Sequence, residues 1–445
     1  MEEEMALTNT MSTPEITTSP RRAAITAGLG TFIEGYDLSV YGYTAIFLAP
    51  LIFPSGDPIV SLLLSLGVFA LAYVARPLGG IIFGHFGDRI SGKAILVITI
   101  STMGIATSVI AFIPTYAQVG LVAPIVLLLC RLVQGFSVGG EVAGATTYVL
   151  RMSPAEKRSR YGAFNPLGAS IGFAGASAIT GFVSGIVTPE QMAEWGWRIP
   201  FLVALPLTII CFAVRRRIST DVEDKVAPAK RVGVKLPFAA LLHDDWRALL
   251  KTVLIAMAVN AASYLGFTYM SIYLISTLGY PATPVYWFVT AGIALSAIAM
   301  LFTGRLGDKV GLKPLAVIGL VGYGALTIPV LAVMGLGSLP LAALAFLVFV
   351  LNASFLQVAA YSMLPMLFQP HLRMSGMGLG YSLGAVIAGG TAPFFAVWLV
   401  QTTGMNIAPG FFIIAVVVIA LITMAFVRVA EPTQPLEDAV ASLDR

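Results

Sequence analysis

Twelve apolar segments run through this 445-residue chain, near residues 23–49, 59–85, 93–114, 120–150, 158–186, 196–214, 250–276, 284–304, 314–335, 339–368, 374–402 and 407–428. Crossing a bilayer as a helix takes roughly 20 apolar residues. Hydrocarbon offers no partner to backbone N–H and C=O groups, so a segment there must satisfy them internally, as a helix does. The expected fold class is therefore all-α, an integral membrane protein with twelve transmembrane helices. Charge supports this. Only 11% of residues are charged, where a soluble domain carries about a quarter.

The lysines and arginines set the expected orientation. Arg21 and Arg22 precede the first segment, and Arg89 and Lys93 lie between the second and third. Arg151, Lys157, Arg158 and Arg160 follow the fourth, and eight more basic residues between Arg215 and Arg247 fill the middle loop. Arg305, Lys309, Lys313 and Arg373 occupy later loops on the same side, whereas the opposite loops hold essentially only Arg198. By the positive-inside rule both termini are cytoplasmic. The expected organisation is a cytoplasmic tail over 1–22, helices over 23–214, a cytoplasmic loop over 215–249, helices over 250–428 and a second tail over 429–445. The net charge of +4 is then a topology signal, and no nucleic-acid partner is expected. Cys130 and Cys211 lie inside apolar runs, so neither a disulfide framework nor a zinc site follows. The acidic, polar start MEEEMALTNTMSTPE reads as a cytoplasmic tail, and no cleavable signal peptide is expected from it.

One stretch, GHFGDRISGKA from Gly84 to Ala94, imitates a phosphate-binding loop. Such a loop needs a preceding strand and a Ser or Thr for magnesium; here an apolar helix precedes it and position 94 is alanine. The stretch recurs as GRLGDKVGLK from Gly304, half a chain further on. A repeat of that spacing makes two six-helix halves, each with this loop after its second helix.

Gly84, Asp88, Arg89 and their echo Gly304, Asp308, Lys309 resemble the signature loop of the major facilitator superfamily, where they would act as gating loops. Arg131-Leu132-Val133-Gln134-Gly135 resembles its fourth-helix motif. Glu34-Gly35-Tyr36-Asp37, Ala75-Arg76-Pro77-Leu78-Gly79, the run Gln134 to Glu141, and Trp197-Arg198-Ile199-Pro200-Phe201 are similar to the metabolite:proton symporter family within it. The resemblance covers nearly the whole chain. It implies two six-helix bundles (the major facilitator fold) facing a central cavity, alternating access around a midplane site, and a bacterial inner-membrane location. Two positions depart from the family: Gly35 stands where Trp is usual, and Arg151 where an acid usually latches the cytoplasmic gate. Glu156 is the candidate substitute.

A charge at mid-bilayer costs roughly 2.5–3.5 kcal/mol on the most lenient scale. Five stand there: Glu34 and Asp37 on the first helix, Arg76 on the second, Arg131 and Glu141 on the fourth. Glu34, Asp37 and Tyr41 follow i, i+3, i+7, and Arg131, Gln134, Val138 and Glu141 follow i, i+3, i+7, i+10, each a single helical stripe. Asp37 lies about 14 residues, roughly 20 Å, into its helix, and Arg131 at a comparable depth in its own. This juxtaposition allows a proton switch, in which Asp37 takes a proton and releases a bond to Arg131; a carboxylate's proton affinity depends on where the nearest arginine sits. The resemblance to proton-coupled sugar and drug carriers implies the same pair. Equally, the charges could only pin the bundle together. Glu34 could carry the proton or touch substrate, Glu141 could act as relay or scaffold, and Arg76 could fork a substrate carboxylate or pair with Glu34 or Asp37.

The second half has no ionisable group in mid-helix. It offers Asn260, Tyr264, Tyr269, Tyr273, Asn352, Gln357, Tyr361 and Tyr381, suited to hydroxyls, carboxylate oxygens or a ring face, or to contacts between helices. With Arg76, Tyr41 and Gln134 these form the expected substrate wall. Two arginines against three acids favour a monocarboxylate, shikimate-like or aromatic. A betaine-like zwitterion is the alternative, its cation against Glu34 or an aromatic ring, and a di- or tricarboxylate is disfavoured. The tail after Arg428 lacks heptads, against an osmosensing version with a coiled coil. A drug/proton antiporter shares the fold, a sensor would add a soluble domain, and an enzyme is unsupported by any nucleophile, metal cluster or cofactor motif. No cofactor is expected beyond the proton as coupling ion. The expected partners are a small organic acid or zwitterion, protons and membrane lipid, with the chain acting as a monomer.

Overall fold

Small residues decide which helices of this chain touch. The computed structural model describes residues 19–87, 92–218, 237–369 and 372–428. Helix α1 (Pro20–Ile52) starts at Ser19, whose side chain accepts from the Arg22 N–H, with Pro20 in the first turn. It lies along α7 (Phe164–Ile186). A Cβ at Gly28 or Gly35 would press on the carbonyl of Phe164 or Ala169, and one at Gly168 or Gly172 on the carbonyl of Gly28 or Phe32. In lipid, where apolar burial drives nothing between helices, such close backbone packing is a main source of association. It also accounts for Gly35: a side chain there has no room.

Helix α2 (Pro58–Gly87) packs the same way on α4 (Val122–Val138), through Gly79 on Phe136 and Gly135 on Ala72. Leu71, Val74 and Leu78, at i, i+3, i+7 on α2, are exposed, while Ala72, Tyr73 and Arg76 are buried. The outward stripe is apolar, as lipid requires, and the polar side faces in. Between them in sequence lies α3 (Gly92–Ile110). The fourth apolar segment is not one continuous helix. It breaks at Gly139–Gly140 and resumes as α5 (Glu141–Met152), which places Glu141 in a first helical turn. A short α6 (Arg158–Gly162) precedes α7, and α8 (Ile199–Ile218) ends this half.

The second half contains α9 (Trp246–Ser263), α10 (Ala282–Val310), α11 (Leu312–Met334), α12 (Leu339–Met363), α13 (Arg373–Ala385), α14 (Ala392–Thr403) and α15 (Ala408–Ala425). Helix α9 continues into π-helical turns at Tyr264–Tyr269 and Tyr273–Thr277, and Val386–Gly390 forms another between α13 and α14. Wide turns of this kind often mark functional sites, because they re-aim side chains within a continuing helix. Here they bring Gly390 against the Tyr73 ring of the first half.

Among the described residues there is no strand, and ten helices are long and apolar enough to cross a membrane. Pro20–Ile52 is not one of the ten. Glu34, Asp37, Ser39, Tyr41, Tyr43 and Thr44 make it long but polar, and all of them are buried. The expected loop at 304–313 is also corrected: Gly304, Asp308 and Lys309 belong to the last turns of α10, and the chain reverses only at Gly311, whose φ of 92° suits glycine.

Candidate functional site

Glu34 on α1 and Arg76 on α2 form a buried ion pair, with Arg76 Nη2 donating to Glu34 Oε1 at 2.6 Å. A desolvated pair of this kind persists only with good geometry. Tyr73, one turn before Arg76, holds its ring 5.0 Å from the guanidinium carbon. The pair opens onto a cavity. Thr31, Glu34, Leu38, Arg76, Ala169 and Phe173 line it from the first half, and Asn260, Ser263, Tyr264, Phe267, Gln357, Tyr361 and Tyr381 from the second. Thus one wall carries an anion and a cation, and the facing wall is aromatic and amide, without formal charge.

The aromatic wall is ordered by ring contacts. Tyr264 meets Tyr73 edge-on at 5.3 Å and Phe173 at 5.8 Å, while Phe173 meets Phe267 at 5.5 Å. The Tyr361 and Tyr381 hydroxyls are 3.0 Å apart. The space between the walls is only about 30 Å³, room for a water or two but not for an organic solute. A wider hollow of about 520 Å³ along α10 and α12 is lined by Thr283, Trp287, Phe288, Leu339 and prolines; with no charged group, it is not the polar site.

The two halves meet on both sides of the cavity. At one end Tyr43 Oη donates to the Phe267 carbonyl at 2.9 Å, and Tyr286 Oη to the Tyr43 carbonyl at 2.7 Å. At the other, basic end, Asp308 Oδ1 accepts the N–H groups of Ser159 at 3.0 Å and Arg160 at 3.1 Å, and Asp308 Oδ2 lies 3.3 Å from Arg160 Nε. Gly304 sits against Arg160 and Ala163 in the same contact, and Lys309 is exposed. Glu156, the candidate latch, is exposed beside Arg158. Among the described residues, the carboxylate joining the halves here is Asp308. Gly84 lies near the end of α2, and Asp88 and Arg89 lie outside the described residues.

A second polar cluster lies behind the cavity. Asp37 is 1% exposed and Arg131 0%. The direct Asp37–Arg131 bond expected from the sequence is not formed: among the described residues, neither carboxylate oxygen of Asp37 has a hydrogen-bond partner. Arg131 Nη1 instead donates to Gln134 Oε1 at 2.9 Å, one turn along its own helix, and the guanidinium lies over the rings of Tyr41 at 4.5 Å and Phe69 at 5.1 Å. Gln134 Nε2 donates to Thr107 Oγ1 at 2.6 Å, and Thr107, Glu141 and Arg131 are the polar neighbours of Asp37. The stripe Glu34, Asp37, Tyr41 therefore splits between environments, Glu34 toward the cavity and Asp37 toward α3 and the α4–α5 break.

Of the expected substrate wall, Arg76, Asn260, Tyr264, Gln357, Tyr361 and Tyr381 line the cavity. Five other residues do not. Tyr41 covers Arg131 and bonds Ser65; Gln134 serves Arg131. Asn352 Nδ2 donates to the Gly319 carbonyl at 2.9 Å, tying α12 to α11. Tyr269 packs on Tyr273. Sequence reasoning missed Thr31, Phe173, Phe267 and Tyr73. Only Tyr73 had a local signal, three residues before Arg76 and so on the same helix face.

Comparison with known proteins adds a separate line of observation. Residues 23–218 match the family "Sugar (and other) transporter" and residues 267–443 the "Major Facilitator Superfamily". The chain is 37% identical to the proline/betaine transporter of Salmonella typhimurium, over 91% of this chain and 82% of that protein. It is 34% identical to a glycine betaine/proline/ectoine/pipecolic acid transporter of Dickeya dadantii, over 94% and 85% of the two chains. A crystal structure of a D-xylose–proton symporter superimposes with a TM-score of 0.72 at 17% identity, over 92% of this chain and 98% of that one.

Proposed function

The chain belongs to the major facilitator superfamily, in the family of the proline/betaine transporters, and from that membership we propose that this multi-pass membrane transporter carries a small zwitterion of the betaine or proline type. The observation that carries the reading is the Glu34–Arg76 pair facing an uncharged wall of tyrosines and amides. A zwitterion needs one cation for its carboxylate and an anion or ring faces for its ammonium. The relatives' names point the same way, whereas a monocarboxylate finds no support among them.

We further propose that transport is proton-coupled symport by alternating access, with Glu34 and Asp37 as the candidate proton carriers and Arg131 and Glu141 shaping the field around Asp37. The reading includes twelve spans, bundles over 23–214 and 250–428, cytoplasmic termini, a bacterial inner-membrane location and a monomeric unit. The basic residues clustered at one end support that orientation.

The test is uptake into proteoliposomes under an imposed pH gradient, acid outside. Labelled glycine betaine and proline are compared with shikimate, benzoate and citrate. Accumulation of the zwitterions, abolished by a protonophore and reduced at least about tenfold in Arg76→Ala, is expected. Accumulation of an acid alone would overturn the substrate class, and zwitterion uptake indifferent to the pH gradient would overturn the coupling.

A further inference from the structure

We propose that Arg76 is exchanged between Glu34 and the substrate's carboxylate, so that a proton on Glu34 and a substrate on Arg76 bind together. This deepens the proposed function and rests on its assumption that the cargo has a carboxylate. The starting point is spatial. Arg76 Nη2 is 2.6 Å from Glu34 Oε1, the side chains are 4% and 8% exposed, and both line a cavity of about 30 Å³. Among the described residues, no other charged side chain lines that cavity. An arriving carboxylate has one guanidinium to bind, and Glu34 already holds it. If substrate took Arg76 while Glu34 stayed ionised, two carboxylates would crowd one guanidinium in a desolvated space, and like charges so placed disfavour both ionising.

Protonation removes the conflict. Glu34 plus one proton becomes a neutral acid that releases Arg76. Arg76 keeps its own proton throughout and donates to the substrate carboxylate instead. The substrate's cationic centre then faces the rings of Tyr73, Tyr264, Phe173 and Phe267, which already make edge contacts around this space, rather than the neutral Glu34. On release the steps reverse: the solute leaves, Glu34 loses its proton, and the ion pair closes. Asp37 does not line the cavity, so it cannot compete for Arg76 in this way.

The experiment is calorimetric titration of the purified full-length protein with glycine betaine, in buffers of differing ionisation enthalpy and across pH. Wild type is expected to take up about one proton per bound solute and to lose affinity about tenfold per pH unit once Glu34 is ionised. Glu34→Gln, a neutral stand-in, is expected to bind with no proton uptake and a flat pH profile. In proteoliposomes it should catalyse exchange yet fail to accumulate solute under a pH gradient. Glu34→Asp should retain the proton uptake. Proton uptake that persists in Glu34→Gln, or vanishes only in Asp37→Asn, overturns the exchange. If Glu34→Gln does not fold, the Asp37→Asn and Glu34→Asp results still decide the matter. If wild type binds benzoate or shikimate and no zwitterion, the substrate class falls, and the same titration with that acid still tests the exchange.

Discussion

Asp308, in the last turns of α10, accepts the backbone N–H groups of both Ser159 and Arg160 at the start of α6. One carboxylate from the second half thus holds the first turn of a helix in the first. Hydrogen bonds to a charged group are worth about 1.5–3 kcal/mol each when well formed, and an anion suits a helix N-terminus. The side-chain contact adds little, because Arg160 is 43% exposed.

Removing that carboxylate should open the basic end. In Asp308→Ala, a cysteine placed at Ala163, buried under Gly304, should react with a maleimide roughly ten times faster than in the parent, a shift of about 1.4 kcal/mol. The background replaces Cys130 and Cys211, both buried. Asp308→Asn, which keeps one acceptor, should fall between. Equal labelling rates in all three proteins would rule out a gating role.

Gly35→Ala tests the packing of α1 on α7. The added methyl would meet the Ala169 carbonyl, and overpacking of this kind costs about 1–3 kcal/mol. A melting temperature several degrees lower is expected, measured by fluorescence-detected size exclusion after heating. An unchanged melting temperature would mean that the helices separate more readily than the glycine contacts imply.

Arg131→Lys keeps a charge but loses the planar contact with Tyr41 and Phe69 and the fork geometry at Gln134. Transport rate should fall about 10-fold to 100-fold, equivalent to roughly 1.4–2.7 kcal/mol, while solute affinity changes little, because Arg131 does not line the cavity. Initial rates and equilibrium binding measured on the same preparation separate these effects. A large loss of affinity with normal turnover would instead place Arg131 in substrate binding.

Gln357 and Asn352 look alike in the sequence, five residues apart on one helix, and should behave oppositely. Gln357→Ala should raise the apparent KM at least threefold to tenfold, about 0.7–1.4 kcal/mol of binding, with little change in melting temperature. Asn352→Ala removes the bond to Gly319 and should lower the melting temperature with KM unchanged. Uptake kinetics and thermal melts on both variants decide it.

Sequence alone determined the class of this protein. The long apolar segments, the halved repeat, the one-sided basic loops and the charges on three helices of the first half are all set by local composition, which lipid constrains strongly. It also placed Glu34, Arg76, Tyr264, Gln357, Tyr361 and Tyr381 among the candidates that share one cavity. Tertiary structure decided which charge meets which. Glu34 and Asp37, three residues apart, differ by roughly 60° around the helix, close enough to count as one stripe. Yet the rotation imposed by the glycine contacts of α1 on α7 turns Glu34 toward Arg76 and leaves Asp37 facing Thr107. The long arginine stem of Arg131 reaches Gln134 as readily as a neighbouring helix, so its partner depends on packing rather than spacing. The sorting of Tyr41, Tyr269 and Asn352 away from the cavity has the same cause: periodicity gives a face, and only the neighbouring helices say what that face meets.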